Sequence, residues 1–231
     1  MKVVILQPSY IPWRGYFHQI QKADLFVFYD CVQYDAEGWR NRNQIKTSPG
    51  PLWLTIPVRA KGHTSLGTAI KDVPIDPVKP WRNKHLRSIE QSYAKAPHFA
   101  RYAPLLRQLY AREDALLADF TCDSTIALAR ELGIAHTQFL RSSTLGAQGA
   151  KTDRLLSILQ QVGATHYLSG PSARGYLAED KLTAAGITLE YMTYDYPDYP
   201  QLHGAFQPQV SVVDLLCNVG PDAARYIWDQ A

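Results

Sequence analysis

The 231-residue sequence contains only three cysteines, at positions 31, 122 and 217, and none belongs to a Cys-x-x-Cys pair. An odd number of widely separated cysteines argues against a disulfide framework and against a structural zinc site. Buried thiols are the usual environment of such residues, and only Cys31 adjoins a candidate site residue, Asp30. Several enzyme motifs are also missing, namely G-x-S-x-G, H-E-x-x-H, the P-loop and a G-x-G-x-x-G after the first apolar run. The seven histidines are dispersed, and no metal site is predicted.

Long apolar runs and a strong net charge are absent as well. No run approaches the ~20 apolar residues that a membrane span requires, and the N-terminus lacks the pattern of a secretory signal. We therefore expect a cytoplasmic protein without a membrane span. A formal net charge of +3 is too small to indicate nucleic-acid binding. The composition, 46% hydrophobic and 19% charged, is that of a globular chain long enough for one α/β domain.

The first thirty residues have the pattern of a strand, a short helix and a second strand. Residues 3–6 form an apolar run, and residues 25–29 form another. Between them Tyr16, Ile20 and Ala23 are spaced for one face of a helix. A parallel pair joined in this way is the seed of an α/β sheet, and the pattern predicts a Rossmann-like, mostly parallel, three-layer fold.

The remaining elements fit one domain over residues 1–231 with a helical insertion at about 81–132. We predict a strand at 52–58, with Pro57 marking an edge or an end, and a helical block divided by Pro97 and Pro104. Further strands are expected at 136–140, 165–168 and 187–193. Helices are expected at 154–162, with Thr152 or Asp153 as cap, and at 211–216, with Ser211 as cap.

Polar and aromatic residues follow both N-terminal strands, and a loop-sized segment after the second strand alternates arginine with asparagine. Ligands of open α/β sheets bind beyond the carboxyl ends of the strands, so the active site is expected there. A solvated basic face is the alternative. The density of cations and amides in this segment favours a site for an anionic small ligand over such a face. The candidate binding residues are Gln7, Tyr10, Trp13, Gln33, Tyr34, Trp39, Arg40, Asn41, Arg42, Asn43 and Lys46.

Two later loops have the composition of anion sites. One follows the strand at 136–140 and leads through Ser142 and Ser143 to Lys151 and Thr152 at a helix start, where backbone N–H groups attract phosphate. A capped helix without a ligand is the alternative there. The other loop follows the strand at 165–168 and contains small residues with a cation, namely Ser169, Gly170 and Arg174.

Long sequence runs resemble one known family. The runs ILQPSYIPWRGYF, KADLFVFYDCVQY, WRNRNQIK, HYLSGPSARGYL and YPQLHGAFQPQVSVVDLLCNVG are similar to the WbqC-like family, which is often encoded among bacterial O-antigen and surface-polysaccharide genes. The resemblance covers nearly the whole chain and implies a function in surface-polysaccharide biosynthesis.

Together with the anion-seeking residues, this resemblance predicts an enzyme that acylates or aminoacylates an amino sugar on a nucleotide-sugar or another phosphorylated small molecule. Arg40, Arg42, Lys46 and Lys151 would hold phosphate or carboxylate, and Lys151 is also placed in the catalytic group. Asp30 or His18 would act as general base. The rings that would frame the sugar or base are those of Tyr10, Trp13, Tyr34 and Trp39.

Two alternatives stay open. One is a non-catalytic binding or scaffold protein of glycan assembly. The other is an ATP-dependent nucleotidyltransferase or ligase, because residues 10–16 and 142–144 are similar in outline to phosphate-contacting segments of the nucleotidyltransferase and pantothenate-synthetase group, although both histidines of that group are missing. ATP with Mg²⁺ held through Asp30 is the candidate cofactor in that case.

Overall fold

The computed structural model describes residues 1–59 and 67–228 of the chain. Its strands are β1 (Lys2–Leu6), β2 (Leu25–Phe28), β3 (Arg42–Thr47), β4 (Gly50–Thr55), β5 (Gln138–Arg141), β6 (His166–Ser169) and β7 (Thr188–Tyr191). The helices are α1 (Arg14–Gln21), α2 (Trp81–Tyr93), α3 (Phe99–Tyr110), α4 (Leu117–Glu131), α5 (Thr152–Gln161), α6 (Glu179–Ala184) and α7 (Val212–Val219). None of the helices in these two ranges combines the length and the apolar character needed to cross a membrane.

Five strands form one parallel sheet in the order β5-β2-β1-β6-β7. Strand β1 lies in the middle, where Val3 pairs with Leu25 on one side and with Tyr167 on the other. The chain first moves outward from β1 through β2 to β5, and then crosses to the opposite side of β1 to form β6 and β7. The direction of winding therefore reverses between β1 and β6.

The two faces of the sheet carry separate cores because side chains alternate along each strand. Val3 and Ile5 of β1 pack with apolar residues of α5 and α6, including Leu159 and Leu182. Val4 points to the other face, where helices α1 to α4 and α7 pack. This three-layer Rossmann-like α/β arrangement confirms the predicted fold class.

The segment expected to be a polar loop contains a strand instead. Residues Arg42–Thr47 form β3, which pairs antiparallel with β4 around the two-residue turn at positions 48 and 49. In β3 the side chains of Asn43 and Ile45 are buried while those of Arg42 and Gln44 are half-buried. The period of two is thus present, but polar side chains on the buried face hide it from a reading based on hydrophobicity.

The helical block divides at Pro97, between α2 and α3, as predicted, but it does not divide at Pro104. Pro104 lies inside α3, which continues through it even though an interior proline removes one backbone hydrogen bond and crowds the carbonyl four residues earlier. The second break falls between α3 and α4, at residues 111–116. There Arg112 donates from Nε and Nη2 to the carboxylate of Asp114, at 2.8 and 2.7 Å, and so stabilises the turn.

A buried histidine joins α2 to the loop after β1. The hydroxyl of Tyr10 lies 2.8 Å from Nδ1 of His85 and contacts the hydroxyl of Tyr110. The rings of Trp81 and Phe120 complete the surroundings. Burial lowers the pKa of His85 to about 4, so its imidazole is neutral at neutral pH.

This histidine should make the protein less stable in acid. Because an unfolded histidine titrates near pH ~6.5, the folded state binds fewer protons than the unfolded state below that pH, and stability is lost as the pH falls toward 4. Between pH ~6.5 and ~4.5 the free energy of unfolding should fall by about 2 kcal/mol more in the wild type than in His85→Gln. Urea unfolding at both pH values measures this difference. The exposed His136 supplies the control, since His136→Gln should keep the wild-type pH dependence. If the free energy of unfolding fell equally with pH in the wild type and in His85→Gln, the lowered pKa of His85 in the folded protein would be contradicted.

Candidate ligand-binding site

A cavity of about 370 Å³ opens where the winding of the sheet reverses. Leu6 and Gln7 at the carboxyl end of β1 line one side, and Gly170, Pro171 and Ser172 after β6 line the other. Open α/β sheets bind ligands at such a reversal point, because the loops after the two central strands part there and leave a crevice. The cavity is therefore the candidate site.

One cation, Arg40, contributes to the lining without an acidic partner. Its Nη1 donates to the backbone carbonyls of Gln7 and Pro8, at 3.1 and 3.5 Å, and its Nε is buried without a hydrogen-bond partner. Among the described residues no carboxylate forms an ion pair with it, although Asp35 is near enough to act on it electrostatically. Burial lowers the pKa of Arg40, but a guanidinium stays protonated at neutral pH. This unpaired, half-buried positive charge at a cavity wall makes Arg40 a candidate contact for an anionic ligand.

A second wall residue, Gln19 of α1, has an unused polar atom. Its amide is 3% exposed, and Nε2 donates to the hydroxyl of Tyr194 at 2.6 Å. Oε1 has no partner among the described residues, and exchanging the two amide atoms would leave the nitrogen without one instead. Buried polar groups are normally hydrogen-bonded, so Gln19 is suited to a polar ligand group.

Aromatic rings form the remaining wall. The ring of Trp13 packs edge-on against Tyr194, with ring centroids 5.0 Å apart. The indole lies so close to α1 that a Cβ at position 15 would be 2.4 Å from Cζ2 of Trp13, which explains the glycine there. Trp39 lines the opposite side of the cavity and is 42% exposed. Flat apolar walls with a few polar groups suit a ligand that contains rings.

The turn between β1 and α1 is held in an unusual conformation. Ile11 has φ 34°, in the left-handed region that β-branched residues rarely adopt. Asn43 of β3 donates from Nδ2 to the carbonyls of Tyr10 and Ile11, at 3.1 and 2.8 Å. The backbone N–H of Tyr10 also donates to the carbonyl of Trp39. The hairpin therefore fixes the floor of the cavity, and strained backbone of this kind is frequent at functional sites.

Several predicted site residues do meet at this cavity. The sequence prediction and the lining share Gln7, Trp13, Trp39, Arg40, Asn43 and Gly170. Their roles in binding stay predictions, but the fold brings them together from the β1–α1 turn, the hairpin and the loop after β6.

Asp30, predicted as general base, lies elsewhere and is fully buried. Its Oδ1 accepts from the hydroxyl of Ser142 and the backbone N–H of Ser143, at 3.0 and 2.9 Å. Its Oδ2 accepts from Nε of Arg141 and the hydroxyl of Ser143, at 2.7 and 2.8 Å. Both oxygens are saturated, so Asp30 does not fit Mg²⁺ binding or proton abstraction. The serines predicted to contact phosphate are committed to this carboxylate.

The other predicted general base, His18, is half-buried beside the aromatic loop before α7. Its Nδ1 is 2.9 Å from the hydroxyl of Tyr196, and its ring also packs near Trp228. Burial lowers the pKa of His18 to about 4, so it is neutral at neutral pH. It is outside the set of residues that line the cavity.

Lys46 of β3, predicted to hold a phosphate, is buried and only 2% exposed. Its Nζ donates to Oε1 of Gln201 and to the carbonyl of Gly204, both at 3.1 Å. The same glutamine donates to Asp214, whose pKa is raised by burial. Lys46 thus stabilises the packing of the loop before α7 against β3.

The loop that leads into α5 contributes no residue to the cavity lining. Lys151 is exposed with φ 52° and occupies the N-cap position, while Thr152 is the first helical residue. The expected side-chain cap is absent from this helix, because the hydroxyl of Thr152 accepts from the backbone N–H of Ala178. Arg174 lies over the ring of Tyr191, 4.1 Å from its centroid.

The remaining predicted residues have structural partners or positions outside the cavity lining. Tyr10 is in the cluster with His85, Tyr34 is 1% exposed, and Ser169 is buried at the end of β6. Asn41 donates to the carbonyl of Ile56 at 2.9 Å, and Gln33 is exposed. Arg42 lies 4.9 Å from the ring centroid of Trp53 and donates to the carbonyl of Glu37.

Sequence reasoning missed most of the polar lining. Gln19 lies one helical turn after Tyr16. A polar residue on the same face of a short helix as a buried one could have indicated a lining residue from the sequence. Tyr194 and Gln209 come from a segment without periodicity, so only the folded chain reveals their position. The missed polar residues are Ser9, Tyr16, Gln19, Ser172, Tyr194 and Gln209.

Comparison with known proteins covers the chain segments that form the cavity. The chain matches the model of the WbqC-like protein family over residues 7–226, which include both walls of the cavity. The chain belongs to the WbqC-like protein family. It is also 42% identical to Uncharacterized protein Rv1507c of Mycobacterium tuberculosis over 228 residues, which is 98% of this chain and 97% of that protein. No solved structure matches the chain. All the residues that line the cavity except Leu6 therefore lie within the part of this WbqC-like chain that the family model covers.

Proposed function

We propose that the protein binds a nucleotide-linked amino sugar in the cavity between β1 and β6 and transfers an acyl or aminoacyl group to its amine. The observation that carries the proposal is the unpaired guanidinium of Arg40 at the reversal point of the sheet. A diphosphate would supply this guanidinium with the negative partner that the described residues do not provide. The volume of about 370 Å³ is that of a small-molecule site.

The sugar fits beside the phosphate. Gln19 and Gln209 offer amide groups for hydroxyls, while Trp13 provides a flat apolar wall. A sugar ring has C–H groups on its faces and hydroxyls on its rim, so a mixed wall of indole and amides matches its chemistry.

In the proposed reaction the neutral amine attacks the carbonyl of the donor, the new C–N bond forms, and the donor's leaving group departs. The amine proton goes to the leaving group or to solvent. An amine is already a nucleophile in its neutral form, so the reaction depends more on orientation than on a strong base. This agrees with a lining that, among the described residues, contains no carboxylate, histidine or cysteine.

The same lack of carboxylate, histidine and cysteine in the described lining favours a second candidate function, a binding protein that delivers the sugar nucleotide to another enzyme. The two candidates share the ligand and differ only in product formation.

The testing experiment separates binding from chemistry. Purified protein is titrated calorimetrically with UDP-, dTDP- and GDP-linked sugars that carry a free amine, and then incubated with each binder plus acyl-CoA, or plus ATP, Mg²⁺ and amino acids. An amide product seen by mass spectrometry is the expected result. Binding without any product would support the delivery protein, and failure to bind every phosphorylated sugar would overturn both candidates.

A further inference from the structure

The cavity mouth adjoins an exposed group of π-systems that the proposed binding of phosphate and sugar does not use. Trp39 and Trp53 have ring centroids 5.2 Å apart and planes inclined by 30°. The guanidinium of Arg42 lies 4.9 Å from the centroid of Trp53. Arg42, Trp53 and Trp39 therefore form a row, which we call the indole stack.

The indole stack is more exposed than packing alone would explain. Trp39 and Trp53 are 42% and 43% exposed. Clustered exposed apolar side chains commonly mark binding surfaces. The stack is also continuous with the cavity, because Trp39 belongs to both.

The position of Trp39 is fixed before any ligand arrives. Its carbonyl accepts from the backbone N–H of Tyr10 at 3.1 Å, which ties it to the turn after β1. Trp53 and Arg42 support the stack from the hairpin, where Arg42 pairs with Thr55 in the ladder of β3 and β4. A rigid aromatic surface loses little entropy on binding.

The neighbouring charge indicates what the stack accepts. Arg40 follows Trp39 directly in the chain, and its unpaired guanidinium is the proposed phosphate site. A ligand that places phosphate at Arg40 and a sugar in the cavity has its remaining part at the cavity mouth. In a nucleotide-sugar that part is the nucleoside, whose base has a π-face that stacks on indoles whatever its identity.

We propose that Trp39, supported by Trp53 and Arg42, is the nucleobase subsite of this protein. The assignment rests on the proposed function and adds the nucleoside to it. Because the stack offers π-faces, it favours the presence of a base more strongly than it distinguishes one base from another.

The test compares ligands with and without a base. UDP, GDP and ADP are each titrated against the wild type, Trp39→Ala, Trp39→Phe and Trp53→Ala, and inorganic pyrophosphate serves as the diphosphate without a nucleoside. Trp39→Ala should weaken the best nucleoside diphosphate about 5- to 100-fold and change pyrophosphate binding less than about twofold. Trp39→Phe should recover part of the loss, and Trp53→Ala should show a smaller one.

Tyr176→Ala is the matched control, since Tyr176 is 63% exposed and lies outside the cavity lining. Equal losses for pyrophosphate and nucleotides, or no loss in Trp39→Ala, would overturn the subsite while leaving the proposed function intact. Absence of binding to every nucleotide, nucleotide-sugar and pyrophosphate would overturn both. Size-exclusion chromatography adds a last arm: a dimer lost in both tryptophan variants with unchanged nucleotide affinity would assign the stack to a second copy of the chain and overturn the subsite.

Discussion

Replacing Arg40 by methionine is expected to weaken binding of a phosphorylated sugar about 10- to 100-fold. Methionine keeps much of the apolar side-chain volume and removes the unpaired charge that the cavity presents. Hydrogen bonds to charged groups contribute about 1.5–3 kcal/mol each, which corresponds to a change of this size. Isothermal titration of wild type and variant with the same ligand measures it.

The controls for this prediction separate charge from structure. Arg174→Met removes an exposed cation that lies over Tyr191, and it should leave the affinity unchanged. Arg40→Lys retains the positive charge but cannot donate through several nitrogens to the Gln7 carbonyl and a ligand together, so it should be intermediate. If Arg174→Met were the damaging variant, the phosphate would belong to the loop after β6 and not to Arg40.

Replacing Asp30 by asparagine should act on stability rather than directly on group transfer. The carboxylate accepts four hydrogen bonds at zero exposure, one of them from the guanidinium of Arg141. In the asparagine variant an amide N–H would face groups that are themselves hydrogen-bond donors. Arg141 would also lose its ion pair with residue 30. Breaking a buried ion pair costs about 3 kcal/mol or more, so thermal unfolding should occur roughly 6–12 °C lower.

An exposed ion pair provides the comparison for Asp30. Asp153 pairs with Lys181 at the protein surface, and Asp153→Asn should leave the melting temperature almost unchanged. Differential scanning fluorimetry gives both values, and ligand affinity is measured below the melting temperature of the variant. A stable Asp30→Asn protein that binds ligand but forms no product would restore the role of general base.

The sheet was predictable from sequence because its strands carry the signal that parallel sheets require. Residues 3–6 and 25–28 are uninterrupted apolar runs, which mark strands buried on both faces. The hairpin was hidden because burial of Asn43 and Lys46 depends on partners far away in the chain. Asn43 contacts the turn after β1, and Lys46 contacts Gln201 and Gly204.

Part of the cavity lining was predictable, but the contacts of the charged residues were not. Sequence reasoning placed ligands beyond the ends of β1 and β2 and named Arg40, which lines the cavity. It also named Asp30 and Lys46, two buried ionisable residues whose side chains are hydrogen-bonded within the protein. The sequence shows that a charged side chain is present, whereas only the three-dimensional contacts show whether that side chain already has hydrogen-bond partners.

The central position of β1 has a consequence for synthesis of the protein. Lys2 pairs with His166, so the first strand leaves the ribosome long before one of its two neighbours exists. Until β6 is made, one side of β1 is an open strand edge, which is prone to pairing with other chains. The residues that line the cavity include residues 170–172 after β6 and also Gln209, so a nascent chain acquires its complete cavity only after residue 209 has been made. A ligand of this cavity could therefore stabilise only chains that already include residue 209.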